Sequence, residues 1–331
     1  MSRNAVFSAL VLRSRPSGES NNEISLLTAE EGIIKVTVFG GPKSKLRSHA
    51  APYNSGQVWI YRDPAKDYGK LSDFDVHSWR PGLRELYERT MAAAGVAETV
   101  LYTHGGGGDW GSALKLAVST LDALENANEE LCERLLVHFL WRWAHFLGIQ
   151  PHIESCASCG DRADGSPLWY SDREGVVLCG NCAPRADEDE VALSLKTSSV
   201  PKIELCPHKS SSVPNNQLCP KNQLCPKNQL CPKNQLCPHK SSSVPNNQLC
   251  PYKPALSPIT SSVPTNQALS PAPGFLKLNP GCRRWLSTAG QIDPALLNRY
   301  SMDNKSFHEA KSLSTAVLTA ALGKRLASWD W

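Results

Sequence analysis

The sequence predicts a multidomain α+β protein: a small five-stranded β-barrel at the N-terminus, then an α-helical domain that carries a four-cysteine ribbon and a disordered repeat insertion. Three observations lead there. Short aliphatic and β-branched runs crowd the first 80 residues with no helical pattern among them. Helical spacing takes over from Pro81. Two Cys-x-x-Cys pairs then precede a stretch of nearly identical hexamers. The expected divisions are 1–80 for the barrel, 81–153 for the first helical part, 154–186 for the ribbon, 187–274 for the insertion and 275–331 for the closing helical part.

The strands expected are Ala5–Leu12, Glu23–Thr28, Gly32–Phe39, Gly56–Tyr61 and Leu71–Val76, each bounded by Gly, Pro, Asn or Ser. The last is the weakest, because Asp73 and Asp75 interrupt it. Five short strands are too few for a sandwich and suit a barrel of OB type; an SH3-like barrel satisfies the same pattern.

Pro81 suits a first helical turn, and Leu83, Leu86, Tyr87, Thr90 and Met91 follow it at helical spacing. Asp109 is the expected N-cap of a second helix with Leu114, Ala117, Val118, Leu121 and Leu124 on one face. A third runs from Glu129 with Leu131, Leu135, Phe139, Leu140, Trp143, Phe146 and Leu147 as its stripe, stopped by Gly148 and Pro151. Asp293–Leu297 and Ser312–Leu326 read as closing helices. Glycines 105–108 read as a flexible helix–helix connection.

Residues 187–274 differ in kind. Asn-Gln-Leu-Cys-Pro-Lys begins at Asn216, Asn222 and Asn228, and HKSSSVPNNQLCP occurs unchanged from His208 and from His239. A proline in every six residues prevents a helix, and the polar content cannot build a core, so disorder is expected. The repeat cysteines have no Cys-x-x-Cys partner and read as passive repeat content. Cys132 and Cys282, in apolar surroundings, read as small buried hydrophobes.

Cys156-Ala-Ser-Cys159 and Cys179-Gly-Asn-Cys182 are separated by 19 residues, within the window of four-thiolate zinc sites. Zinc takes soft ligands in a tetrahedron; each Cys-x-x-Cys turn offers two sulfurs, and a returning hairpin opposes the pairs. One structural Zn2+ is expected, with no open position for catalysis. Gly160 and Gly180 are expected to give each knuckle its freedom to turn.

The net charge is +4, too small to announce a nucleic-acid binder. Its distribution is more telling: residues 1–80 carry 11 Lys/Arg against 8 Asp/Glu, and residues 81–186 carry 8 against 14, so basic and acidic surfaces are separated along the chain. Lys35, Lys43, Lys45 and Arg47 have no acid among them, and the last three follow the Gly40-Gly41-Pro42 break on an expected mobile loop. Such a loop can follow a phosphate backbone, with Arg13 and Arg15 extending the path, or it can be an ordinary solvated loop. Enzyme signatures are missing: His104-Gly-Gly-Gly107 has no Gly-x-Ser-x-Gly nucleophile to serve, the glycine run lacks a P-loop lysine, and His308-Glu309 lacks a second histidine. No signal peptide or apolar run of about 20 residues is found, so a cytoplasmic protein without membrane contact is expected.

Three stretches carry a resemblance. AVFSALVLRSRPSGESNNEISLLTAEEG, GGPKSKLRSHAAPYNSGQVWIYR and LGIQPHIESCASCG occur in the order and spacing of the RecO family of bacterial DNA repair and recombination mediators, which the chain resembles over residues 1–185 and more weakly over 275–331. The resemblance implies a DNA-binding OB-fold and a helical domain bearing the zinc ribbon, with no catalytic turnover. It also implies binding to single- and double-stranded DNA, strand annealing, partnership with RecR, and engagement of the acidic tail of single-strand-binding protein so that RecA can replace it, at the nucleoid. The zinc cysteines and the basic residues are the positions carried over. The insertion departs from the family. The competing expectation is a zinc-ribbon protein–protein adaptor whose barrel does not bind DNA.

Overall fold

The computed structural model describes residues 4–41, 44–63, 68–184 and 274–330. The repeat insertion and Lys43 lie outside the described residues.

The first five strands, β1 (Asn4–Ser17), β2 (Asn21–Thr28), β3 (Gly32–Val38), β4 (Ser55–Asp63) and β5 (Tyr68–Ser78), close into a barrel in the order β1-β2-β3-β5-β4. β1 is long enough to pair twice. Its first half runs against β4 from Asn4↔Tyr61 to Leu10↔Ser55, and its second half against β2, with an irregularity between Val11 and Arg13. That irregularity bends the strand around the barrel corner. Closure on the far side is a parallel contact of β3 with β5 at Thr37↔Lys70. This order belongs to the OB type, which removes the SH3-like alternative.

Alternation explains the interior. Phe7, Ala9, Val11, Ile24, Leu26, Val36, Val38, Val58, Ile60, Leu71 and Phe74 point inward and are buried together. Asp73 and Asp75 point outward from β5, which therefore runs as a full strand of 11 residues despite them. A short helix, α1 (Lys45–His49), leans on the barrel through Leu46 and the following Ala50.

The barrel's outer face is not uniformly solvated. Leu10, Leu12 and Leu27 turn outward into the core of the helical part. That core is built around α4 (Glu129–Phe146), whose Leu135, Phe139, Leu140 and Trp143 are fully enclosed as their spacing predicts. α3 (Trp110–Glu125) is capped by Asp109, whose carboxylate accepts from the Ser112 N–H, and α4 is capped by Asn128 accepting from Leu131 N–H.

The first helix departs from expectation. Pro81–Arg84 forms a separate 3-10 turn, and α2 (Tyr87–Tyr102) starts only after it. Its buried face is Ala92, Ala93, Val96, Ala97 and Val100, while Tyr87 is 64% exposed. Small residues win that face because α4 approaches closely: a Cβ on Gly95 would stand 2.9 Å from Leu136. Glycines 105–108 are likewise a packed joint rather than a loose connection. Gly105, Gly106 and Gly108 have φ of 84°, 90° and 106°, and a Cβ on Gly107 would lie 2.2 Å from the Phe146 carbonyl oxygen.

After the insertion, Phe275–Leu278 forms a strand rather than entering directly into helix. α5 (Pro280–Ala289), which the sequence reading does not anticipate, follows with Asn279 as N-cap and Pro280 in its first turn. The expected helix at Asp293–Leu297 is a 3-10 turn, Pro294–Arg299. The closing helix α6 (Asn304–Leu322), capped by Asp303, starts eight residues before the expected Ser312 and ends four before the expected Leu326, at Gly323, φ 66°. Cys132 and Cys282 are buried, and burial pushes the Cys132 thiol up to about 11.

Candidate metal centre and nucleic-acid interface

β6 (Leu168–Ser171) and β7 (Val176–Cys179) form the hairpin between the two cysteine pairs, and β8 (Phe275–Leu278) adds to the open edge of β6. Cys179 is thus the last residue of a strand, and Cys182 lies one turn beyond, with its N–H and that of Ala183 donating to the Cys179 carbonyl. The other knuckle closes through Gly160 N–H donating to Cys156 carbonyl, and Cys156 N–H to Asp161 carbonyl. Gly160 turns there at φ 77°. Gly180 is different: it needs no left-handed turn but leaves room for Trp169, which a Cβ would approach to 3.1 Å.

The four sulfurs of Cys156, Cys159, Cys179 and Cys182 all lie within 4.8 Å of one another, with Cys159 Sγ 3.7 Å from Cys179 Sγ. A tetrahedron of 2.3 Å zinc–sulfur bonds has edges of about 3.8 Å, so the donor set fits that ion. Electrostatics agrees. Burial raises the Cys156 thiol, but the N–H groups of Cys159, Cys179 and Ser158 aimed at its sulfur outweigh this and bring it to about 6. At Cys159 the Asp161 N–H favours the thiolate, yet the neighbouring thiols of Cys156, Cys179 and Cys182 prevail and push it to about 12. One thiolate forms readily, and further negative charge in so small a space calls for a cation. The four cysteines can hold one metal ion.

Arg283 of α5, which the sequence reading missed, braces this site. Its buried guanidinium donates to the carbonyls of Ala163 (2.9 Å) and Ser166 (2.8 Å), and at longer range to Ile153 and Arg162. Those carbonyls belong to the loop around the first knuckle and the connection to β6. An arginine in a Cys-Arg-Arg run 100 residues downstream gives no local sign that it will serve as backbone donor there.

The expected basic residues fall into two groups. Ser25 of β2 pairs with Arg13 on one side and Lys35 on the other, so these two cations share the barrel's outer face. Arg15 stands opposite Glu23, which offsets part of its charge. The next row brings in Lys70, absent from the sequence-based expectation, through Thr37↔Lys70; its ammonium lies 5.4 Å from the centroid of the Phe39 ring. Phe39 is 42% exposed. Lys45 and Arg47 are not on a mobile loop: they occupy α1, whose Leu46 is anchored in the barrel and whose Ser48 hydroxyl donates to the Lys45 carbonyl. Leu46 is partly buried against the barrel core and holds the segment to it. Among the described residues no helix is long and apolar enough to cross a membrane.

Comparison with known proteins finds two family models in succession along the chain. Residues 1–79 match the family model described as Recombination protein O N terminal, and residues 84–218 match Recombination protein O C terminal. The chain is 27% identical over 187 residues to the DNA repair protein RecO of Desulfitobacterium hafniense, covering 55% of this chain and 66% of that one. Similar relatives are the RecO proteins of Rubrobacter xylanophilus (29% over 182 residues; 54% and 72%) and Pelotomaculum thermopropionicum (30% over 176; 53% and 66%). The chain thus matches about two thirds of the length of these relatives. With the barrel and the helical part each matched by its own family model, in order and almost without a gap, the chain belongs to the RecO family of DNA repair proteins.

Proposed function

We propose that this chain is a non-enzymatic recombination mediator. It binds single- and double-stranded DNA through its barrel, anneals complementary strands and, with RecR, helps RecA displace single-strand-binding protein. In this reading residues 1–80 contact DNA, while Cys156, Cys159, Cys179 and Cys182 hold one structural Zn2+ that keeps the ribbon folded. The observation that carries it is the row of cations on the barrel's outer face, Arg13 and Lys35 flanking Ser25, with Lys70 beside the exposed Phe39. Cations beside an exposed ring suit a phosphate backbone with bases stacked alongside. A groove of about 840 Å³ in the helical part presents Lys115, Arg142, His145 and His152 against Glu154 and Asp293, a lining that suits the acidic tail of single-strand-binding protein.

Changing Arg13, Lys35 and Lys70 together to Ala tests the reading. Each lost single-strand phosphate contact lowers the slope of log affinity against log salt by about 0.7, so the triple variant should lose about two units of slope for any oligonucleotide sequence. Annealing should fall with it while melting stays nearly unchanged, since Lys35 and Lys70 are exposed and Arg13 is only partly buried. The adaptor reading expects no change in affinity or slope, and that result would remove the barrel face from the DNA site.

A further inference from the structure

We propose that Trp79, with His49 and Lys45 of α1, forms a second contact for single-stranded nucleic acid, in which an unpaired base stacks on the indole while Lys45 meets its phosphate. The proposal rests on the DNA-binding reading above and concerns a different part of the barrel.

Trp79 follows the last residue of β5 and is 45% exposed, although tryptophan is the largest apolar side chain the fold had to bury. Its exposure has a cause. The next residue, Arg80, is locked in a left-handed conformation (φ 47°), with its guanidinium held by the Tyr53 carbonyl, the Ser55 hydroxyl and Asp122. Backbone pinned in this way cannot turn the neighbouring indole inward. The ring is also supported from one side. His49 meets it at right angles with centroids 5.0 Å apart, and His49 is itself fixed, its Nδ1–H donating to the Phe74 carbonyl at 2.8 Å.

On its α1 side the ring has basic neighbours, while β5 adds the outward Asp73 and Asp75, the latter 3.5 Å from His77. Lys45 and His49 stand four apart on α1 and therefore share a helix face, about 5–6 Å between Cβ atoms. α1 carries Lys45, Arg47 and His49 and no acidic residue. A rigid half-exposed indole one side chain away from an exposed lysine is the pairing used by proteins that hold single strands, because every base offers a π-face and every nucleotide a phosphate. Duplex DNA has its bases stacked internally and gives the indole nothing to stack on.

The test compares Trp79→Ala, Trp79→Phe and Trp79→Leu in the full chain, by fluorescence anisotropy with a labelled oligothymidylate and with a duplex of equal length. Loss of one stacked base should weaken single-strand binding by roughly 5- to 100-fold in Trp79→Ala, leaving duplex affinity and the salt slope at their starting values. Trp79→Phe should restore most of the loss and Trp79→Leu should not. Unchanged single-strand affinity in Trp79→Ala overturns the proposal while leaving the barrel's DNA role intact. Restoration by Leu equal to that by Phe also overturns it, pointing to an apolar docking patch. Equal losses on duplex and single strand in a normally melting variant would overturn it in favour of a general positioning effect. A wild-type chain that binds no DNA would overturn both readings together.

Discussion

Replacing Cys156 with Ser should lower the stability of the chain by about 3–5 kcal/mol and abolish stoichiometric metal binding, because a structural zinc site contributes folding free energy directly. The loss should not stay local. Cys179 ends β7, β7 pairs with β6, and β6 carries β8 on its other edge, which leads straight into α5. Arg283 of α5 then returns to the carbonyls of the loop between the cysteine pairs. Metal loss therefore frees the loop, the loop frees Arg283, and amide exchange should rise across residues 275–289 as well as around the knuckles. Metal analysis should show about one zinc more per chain in the parent than in the variant, and thermal melting should report the stability change. A variant that melts with the parent would remove the metal from the account of this fold. Chelation of the parent should reproduce the variant's exchange pattern, since both act through the same four sulfurs.

Arg80→Ala should destabilise the protein by about 3–4 kcal/mol, the cost of stripping the partner from buried acceptors and leaving a cavity. The Arg80 side chain is fully enclosed. Its Nε donates to Asp122 of α3 at 2.7 Å, while the two terminal nitrogens reach the Tyr53 carbonyl at 2.5 Å and the Ser55 hydroxyl at 2.9 Å. It thus ties the barrel to the helices at a point where Tyr53 is itself in a left-handed conformation, φ 74°. Asp122 remains half exposed and keeps its water, so most of the loss arises at the barrel end of the contact. Arg80→Lys should recover little, because one ammonium cannot serve three acceptors lying in different directions. Urea unfolding followed separately by signals from the barrel and from the helices should split into two transitions in Arg80→Ala. A single transition within about 1 kcal/mol of the parent would show that the apolar contacts of Leu10, Leu12 and Leu27 hold the two parts together unaided.

The elements legible in the sequence were those whose cause is local. Strand alternation, the Asp109 cap, the α4 stripe and the four-cysteine spacing all follow from neighbours within a few residues, and so did the family resemblance. Elsewhere a distant partner decides the outcome. The small face of α2 is buried because α4 presses Leu136 against Gly95, and Gly105, Gly106 and Gly107 pack against Ile33, Trp143 and Phe146 respectively. α5 was missed although Asn279 and Pro280 are good starting signals, since Asn-Pro-Gly reads equally as a turn until Asn279 is seen accepting from the Cys282 N–H.

The candidate sites divide in the same way. That the four cysteines could gather where they can hold a metal was legible from the chain alone, because a Cys-x-x-Cys turn brings its own two sulfurs together and a short hairpin does the rest. Which cations share a surface could not. Arg13 and Lys35 are 22 residues apart and stand on either side of Ser25, and Lys70 is added through a parallel pairing that only barrel closure creates. Arg283 reaches its four carbonyls from more than 110 residues away. Backbone acceptors carry no side-chain signature, and strand register between distant segments is set by the collective burial of the core. Local chemistry is thus written in the order of residues, whereas the surfaces that recognise a partner are decided by packing.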